Sequence, residues 1–245
     1  DLEIYSKNIT LDFEPVSTNI FLGRTLAGKT SLLRIMAGLD RPDSGRILVN
    51  GEDVTGMSVR KRNVSMVYQQ FINYPSFTIY DNIASALRLS GMEKKKIDKK
   101  VREVAEILHL ETMLDRIPTE LSGGQQQRCA IARALVTDST LLLLDEPLVN
   151  LDYKLREELQ VELQDIFAQR DAIVVYTTTE PGEALKLGGH ITVLDEGRVI
   201  QTGVTSQVYH KPASVKVAEV FSDPPINLLD ADVNDGVLNL GDKVQ

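Results

Sequence analysis

Four short stretches carry residues able to do chemistry. "GRTLAGKTS", residues 23–31, fits the spacing G-x-x-x-x-G-K-[ST]. Gly23 and Gly28 let the backbone curl so that its amides point at phosphate oxygens, and the amino terminus of the helix that follows adds partial positive charge. Lys29 can then reach the β- and γ-phosphates of a nucleotide, and the Thr30 hydroxyl can hold Mg²⁺. "LLLLDEP", 141–147, ends a buried strand on two acids. Asp145 suits a Mg²⁺ shell, and Glu146 can orient or deprotonate an attacking water. In "LSGGQQQR", 121–128, Ser122 and Gln125 are spaced as a capping box, so a second helix amino terminus can receive an anion. Two consecutive glycines, Gly123 and Gly124, exceed what a plain helix cap needs, and the site can serve a nucleotide held by a neighbouring chain. "VVYTTTEPGEAL", 174–185, brings Thr177, Thr178 and Thr179 to a strand end, with no strong base among them.

Such residues need a sheet whose strands share one carboxyl edge. Apolar, β-branched runs alternate with helical periods along the chain, which predicts an α/β fold: a parallel sheet flanked by helices, with a phosphate-loop NTPase core. The expected strands are 19–22, 46–49, 64–68, 141–144, 172–176, 191–195 and 198–201. Asn50-Gly51 predicts a tight hairpin beside the parallel sheet, and "HITVLDEGRVIQTG" predicts another. Ile97, Val101, Val104, Ala105 and Leu108 share one helical face within an inserted helical subdomain, about 78–135. From Asp223 onward, Pro224-Pro225 interrupts the helical pattern and short alternating strands follow. The expected division is therefore 1–222 for the main domain and 223–245 for the start of a truncated or partly missing β domain.

Composition narrows the classes. A formal net charge of −8, from 27 basic and 35 acidic residues, argues against a general nucleic-acid binder. Cys129 is the single cysteine, so no intrachain disulfide forms, and its helical context suits a small buried residue in a reducing compartment. No apolar run approaches the roughly 20 residues that span a bilayer. The chain opens on Asp1, so its true start is expected to lie upstream.

Taken in order, these motifs resemble the ATPase subunits of ABC transporters, within the branch that energises carbohydrate and polyol importers. The similarity runs from about residue 3 to 229. Gly23, Arg24, Thr25, Leu26, Ala27, Gly28, Lys29, Thr30 and Ser31 are similar to the Walker A loop, Leu141 to Glu146 to the Walker B strand, and Leu121, Ser122, Gly123, Gly124 and Gln125 to the ABC signature. The resemblance implies that Gln69 contacts Mg²⁺ and water, that Asp152 of "LVNLD" lies at a dimer seam, and that Phe13 stacks on adenine. It implies a small regulatory β domain (OB-like) after residue 222. It also implies transmembrane permease partners, a second ATPase subunit, indirectly a periplasmic solute-binding protein, and a cytoplasmic place on the inner face of the plasma membrane.

Two departures stand out. Phe13 precedes Gly23 by ten positions (23 − 13) where the family fits further strands, so either residues are missing around "FEPVSTNI", the preferred expectation, or the β-subdomain is pared down. Thr179 stands where the family's switch strand carries a histidine, which points to slow hydrolysis beside a different ATPase subunit; the alternative expectation is a competent homodimer.

Overall fold

Val, Ile and Leu dominate the chain's short apolar runs, and runs of that kind fold as strands buried on both faces. The computed structural model describes residues 6–70, 72–229, and the backbone of 232–234 and 237–239. In chain order the elements are β1 (Thr18–Leu22), α1 (Lys29–Ala37), β2 (Leu48–Val49), β3 (Glu52–Asp53), β4 (Val64–Val67), α2 (Ile79–Leu89), α3 (Lys94–Ile107), α4 (Gly123–Leu135), β5 (Leu141–Asp145), α5 (Tyr153–Ala168), β6 (Ile173–Thr178), α6 (Pro181–Leu187), β7 (His190–Asp195), β8 (Arg198–Val204), α7 (Thr205–His210) and α8 (Val215–Val220). The main sheet has the order β4-β5-β6-β1-β7-β8, parallel except for the β7–β8 hairpin.

Alternation along each strand divides the core. Ile20, Leu22, Leu142, Leu144, Val174 and Tyr176 face the larger cluster, while Phe21, Leu143 and Val175 face Leu33 and Ala37 of α1. Helices therefore cover both faces, and the sheet offers ligands its carboxyl edge, where connections diverge on either side of β1. Register aligns that edge: Leu22 pairs with Thr178, and Asp145 with Thr177.

Helices α2, α3 and α4 fall between β4 and β5. Ile97, Val101, Ala105 and Leu108 are buried as their shared face requires, and Val104 is half-buried. Buried Asn82 fastens the preceding loop to α2, accepting from Tyr74 N and donating to Tyr74 O, Phe77 O and Thr78 O at 2.8–3.2 Å. Cys129 is fully buried, and burial pushes its thiol up to about 12, so it is an inert packing residue.

The expected strand over 46–49 shortens to Leu48–Val49, and its hairpin with β3 forms a separate two-stranded sheet instead of flanking the main one. No other described strand pairs with it, and Leu48 and Val49 remain exposed. The stretch 6–17 contains no strand; Lys7 N donates to Gly197 O at 2.7 Å, and Ile9, Leu11 and Phe13 pack onto the α1-side cluster. Beyond residue 222 the described backbone includes an antiparallel pair, β9 (Asp232–Asn234) and β10 (Val237–Asn239); the remaining residues from 230 on lie outside the described set. Among the described residues, no helix is long and apolar enough to cross a membrane.

Candidate nucleotide site

The loop after β1 is shaped by contacts that exclude side chains. A methyl group on Gly23 would lie 2.4 Å from Leu194 O, so only glycine fits between the loop and β7. Gly28 takes a left-handed conformation (φ 96°) as the cap residue of α1, with no side-chain cap and no acid in the first turn. The backbone N–H groups at the start of α1 thus lack a capping side chain. Arg24, Thr25 and Leu26 are exposed, Ala27 is buried, and Ser31 is half-buried in the first turn of α1.

Lys29 is 3% exposed, yet its ammonium is fully engaged. It donates to Gly23 O at 2.7 Å and Arg24 O at 3.1 Å, and it pairs with Glu146 Oε1 at 3.1 Å. Thr30 Oγ1 donates to Asp145 Oδ1 at 3.0 Å. The structure therefore brings Gly23, Lys29, Thr30, Asp145 and Glu146 together from residues more than 100 positions apart. Burial raises the Asp145 pKa above the ordinary carboxylate range; hydrogen bonds from Thr30 and Thr177 pull the other way, the Glu146 charge adds to the rise, and Lys29 opposes it.

Sequence reasoning missed Thr177. Its hydroxyl donates to Asp145 Oδ1 at 2.9 Å and accepts from Glu146 N at 2.9 Å. Glu146 has φ 43°, a left-handed conformation that costs a side-chain-bearing residue of order 1–3 kcal/mol. The Thr177 bond holds that conformation. The neighbouring Thr178 Oγ1 donates to buried Glu183 Oε2 at 2.7 Å and accepts from Glu180 N at 2.9 Å. Two of the three threonines thus brace the strand end, and their adjacency was the available signal. Thr179, half-buried, follows directly, and Gly23 N donates to Thr178 O at 3.4 Å, which fixes this corner beside the phosphate loop.

The signature residues lie elsewhere. Ser122 N donates to Gln125 Oε1 at 3.0 Å and Gln125 N to Ser122 Oγ at 3.4 Å, the reciprocal pair read from the sequence. The two glycines differ: a methyl group on Gly124 would lie 2.0 Å from Leu155 Cδ2, whereas Gly123 has open space around it. One glycine is therefore explained by packing against α5, and Gly123 alone is left without that explanation. Leu121 is buried beneath this turn.

Asp152 caps α5 by accepting from Leu155 N at 3.0 Å, a structural duty that its sequence context did not isolate. Gln69 is exposed just past β4, and its carbonyl accepts from Asn150 Nδ2 at 3.2 Å, joining that loop to 148–152. Phe13 is half-buried with its ring 6.2 Å from Phe21, so it takes part in the core.

A parallel sheet with a lysine-bearing glycine loop on one strand and an acid pair on another defines a phosphate-loop nucleotide-binding protein. The family model described as ABC transporter matches residues 6–149, more than half of the chain, and the chain belongs to that family. It is 40% identical over 243 residues to the trehalose/maltose import ATP-binding protein MalK of Thermococcus litoralis, covering 96% of this chain and 65% of that protein. It is likewise 40% identical over 228 residues to the sn-glycerol-3-phosphate import ATP-binding protein UgpC of Escherichia coli K12, covering 93% and 64%. The chain thus spans slightly under two thirds of the length of these relatives. A solved dimeric ATP-binding cassette in a post-hydrolysis state, bound to ADP and Pi, superposes with a TM-score of 0.73 at 28% identity, covering 82% of this chain and 90% of that one.

Proposed function

We propose that this chain is the ATP-hydrolysing subunit of an ABC importer for a small polar solute, a sugar or a polyol such as glycerol. The observation that carries the reading is the assembled set Lys29, Thr30, Asp145 and Glu146 at an uncapped helix start. Phosphate oxygens entering the loop compete with Glu146 for Lys29 and free the carboxylate. Glu146 then accepts a proton as a water oxygen bonds to the γ-phosphorus and the bond to the β-phosphate oxygen breaks, giving ADP and phosphate. The half-exposed Phe13 ring is the proposed adenine support.

The Thr30 hydroxyl and the Asp145 carboxylate converge at 3.0 Å, two hard oxygens suited to Mg²⁺. These residues, with Gln69, would hold it, and the ion would neutralise phosphate charge. A buried carboxyl with a raised pKa is one that a nearby cation favours in its ionised form.

Two copies arranged head to tail form the proposed working unit, each Ser122–Gln125 turn completing the other's site and Asp152 lying at the seam. Loop 72–77 exposes Ile72, Tyr74 and Phe77, with Arg133 stacked 4.5 Å over the Tyr74 ring. An apolar patch of this kind suits a permease helix. Through the permease the chain sits on the inner face of the plasma membrane and responds to a periplasmic binding protein. Residues 223–245 are the proposed beginning of a regulatory β domain.

Thr179 favours a second, weaker reading, a slow subunit paired with a different ATPase. A threonine is shorter than histidine and reaches a γ-phosphate only through a water. The complete Lys29–Glu146 set favours the self-competent dimer.

One experiment tests the leading reading. Purified chain should bind Mg-ATP and release phosphate, and Glu146→Gln should keep binding while turnover falls by about 10²-fold or more. A parent chain without ATP affinity overturns the reading, and a parent that binds but hydrolyses only with a second ATPase selects the weaker one.

A further inference from the structure

Arg156 occupies a position that neither the motifs nor the mechanism above uses. It projects from the first turn of α5, four residues beyond Asp152. Toward the seam loop, its Nη2 donates to Val149 O and Leu151 O, both at 3.4 Å. Toward the switch corner, its Nη1 lies 3.9 Å from Glu180 Oε1 and its Nε 3.9 Å from Glu183 Oε1. Both pairs of contacts are long: the carbonyls stand at the outer limit of hydrogen bonding and the acids beyond it. The buried Nε has no hydrogen-bond partner among the described residues. Closing the acid pairs to hydrogen-bonding length would take a movement of about 1 Å.

Of the two acids, Glu183 is firmly held. Glu183 is buried, and its Oε2 accepts from Tyr176 OH at 3.0 Å and from Thr178 Oγ1 at 2.7 Å. Thr178 Oγ1 in turn accepts from Glu180 N. Thr178, on one side of Thr179, is thereby tied to Glu183 through its hydroxyl, and Glu180, on the other, is tied to Thr178 through its backbone N–H. Gln160 Nε2, one turn further along α5, donates to Glu183 O at 3.1 Å and holds α6 against the same helix. Burial raises the Glu183 pKa; the hydrogen bonds from Thr178 and Tyr176 and then the Arg156 charge pull it back, and the Glu180 charge adds to the rise.

We propose that Arg156 and Glu183 are positioning residues that couple the seam loop 148–152 to the backbone at Thr179, so that engagement of a second subunit sets the switch corner for hydrolysis. The proposal rests on the ATPase reading above. The warrant is one guanidinium that reaches both sites at once, its Nη2 on the carbonyls of Val149 and Leu151 and its Nη1 and Nε facing Glu180 and Glu183. A purely structural arginine would be expected to close on one set, with short bonds and no buried donor left over.

The test compares Arg156→Lys, Arg156→Met, Glu183→Gln and the double variant Arg156→Met/Glu183→Gln. Glutamine at 183 can still accept from Tyr176 and Thr178 while losing the charge. ATP affinity by equilibrium dialysis and the KM for ATP should stay within about twofold of the parent, while kcat falls about 10-fold in Arg156→Met and in Glu183→Gln. Arg156→Lys, which keeps the charge without the fork, should fall between parent and Arg156→Met. The double variant should be no slower than the slower single variant, because both changes cut the same connection. Unchanged kcat, strictly multiplicative losses, or loss of affinity in step with kcat would each overturn the proposal while leaving the ATPase reading intact. A parent that does not bind ATP overturns both.

Discussion

Two helix amino termini in this chain have the same polarity but are finished differently. At α1 the cap residue is Gly28, with no side-chain oxygen to offer and no acid in the first turn. At α4 the cap is Ser122, locked to Gln125 by a reciprocal pair of hydrogen bonds. A helix start carrying its own cap is satisfied by the chain itself, while a bare start relies on water or an anion. The difference, together with Lys29 at the bare end, supports the proposal that α1 receives the phosphate. At α4 it leaves one exposed, unhindered residue, Gly123, which the proposed dimer would place against a second chain's ligand.

The largest effect expected from breaking this contrast comes from Lys29→Ala. It removes the cation of the bare end and should abolish measurable ATP turnover, a loss of about 10²-fold or more, seen by phosphate release. Unaltered turnover would strip α1 of its special status.

Next comes the pair of glycines at α4. Gly124→Ala forces the Leu155 side chain to move, which offsets the usual helix gain of about 0.5–1 kcal/mol for such a change. The variant should be up to about 1 kcal/mol less stable in denaturant unfolding. Gly123→Ala should cost no stability, adding up to about 1 kcal/mol, yet reduce turnover. Equal stability losses in the two variants would show that both glycines serve packing alone.

Ser122→Ala should cost about 1 kcal/mol of stability, the usual worth of such a cap, without altering ATP affinity at α1. A parallel loss of affinity would mean that the two ends are not independent.

The smallest effect on stability concerns the acid beside the bare end. Burial raises the Asp145 pKa in the fold above its unfolded value. Such a group favours the fold when protonated, and that contribution is lost as pH rises through the folded pKa. Asp145→Asn keeps an acceptor for Thr30 and Thr177 and removes the charge. It should therefore raise the nucleotide-free Tm at pH 8 while losing Mg²⁺-dependent ATP binding. A lowered Tm would indicate that the ionised form is what Thr30 and Thr177 hold together.

Much of this contrast was legible beforehand because it rests on local spacing. A glycine loop before an apolar helix, a serine three residues before a glutamine, and an acid pair after four leucines each act within a few residues of chain. Phe13 was harder to read, because an aromatic residue ten positions before the loop fits a core and a ligand equally well; its ring stands over Phe21. The hairpin at Asn50-Gly51 was readable as a turn, but whether it would join the main sheet depended on a neighbour that local sequence does not name.

By itself, then, the order of residues determined most strands of the main sheet and the glycine loop that opens α1, since periodicity and turn chemistry operate over short distances. Only the tertiary structure decided that Lys29 meets Glu146, that Thr177 holds Asp145 and Glu146 from an adjacent strand, that Gly124 packs against Leu155, and that Arg156 lies between residues 149–151 and Glu183. Each of those contacts joins residues brought together by sheet register and helix packing, and register depends on the whole set of strands settling against one core.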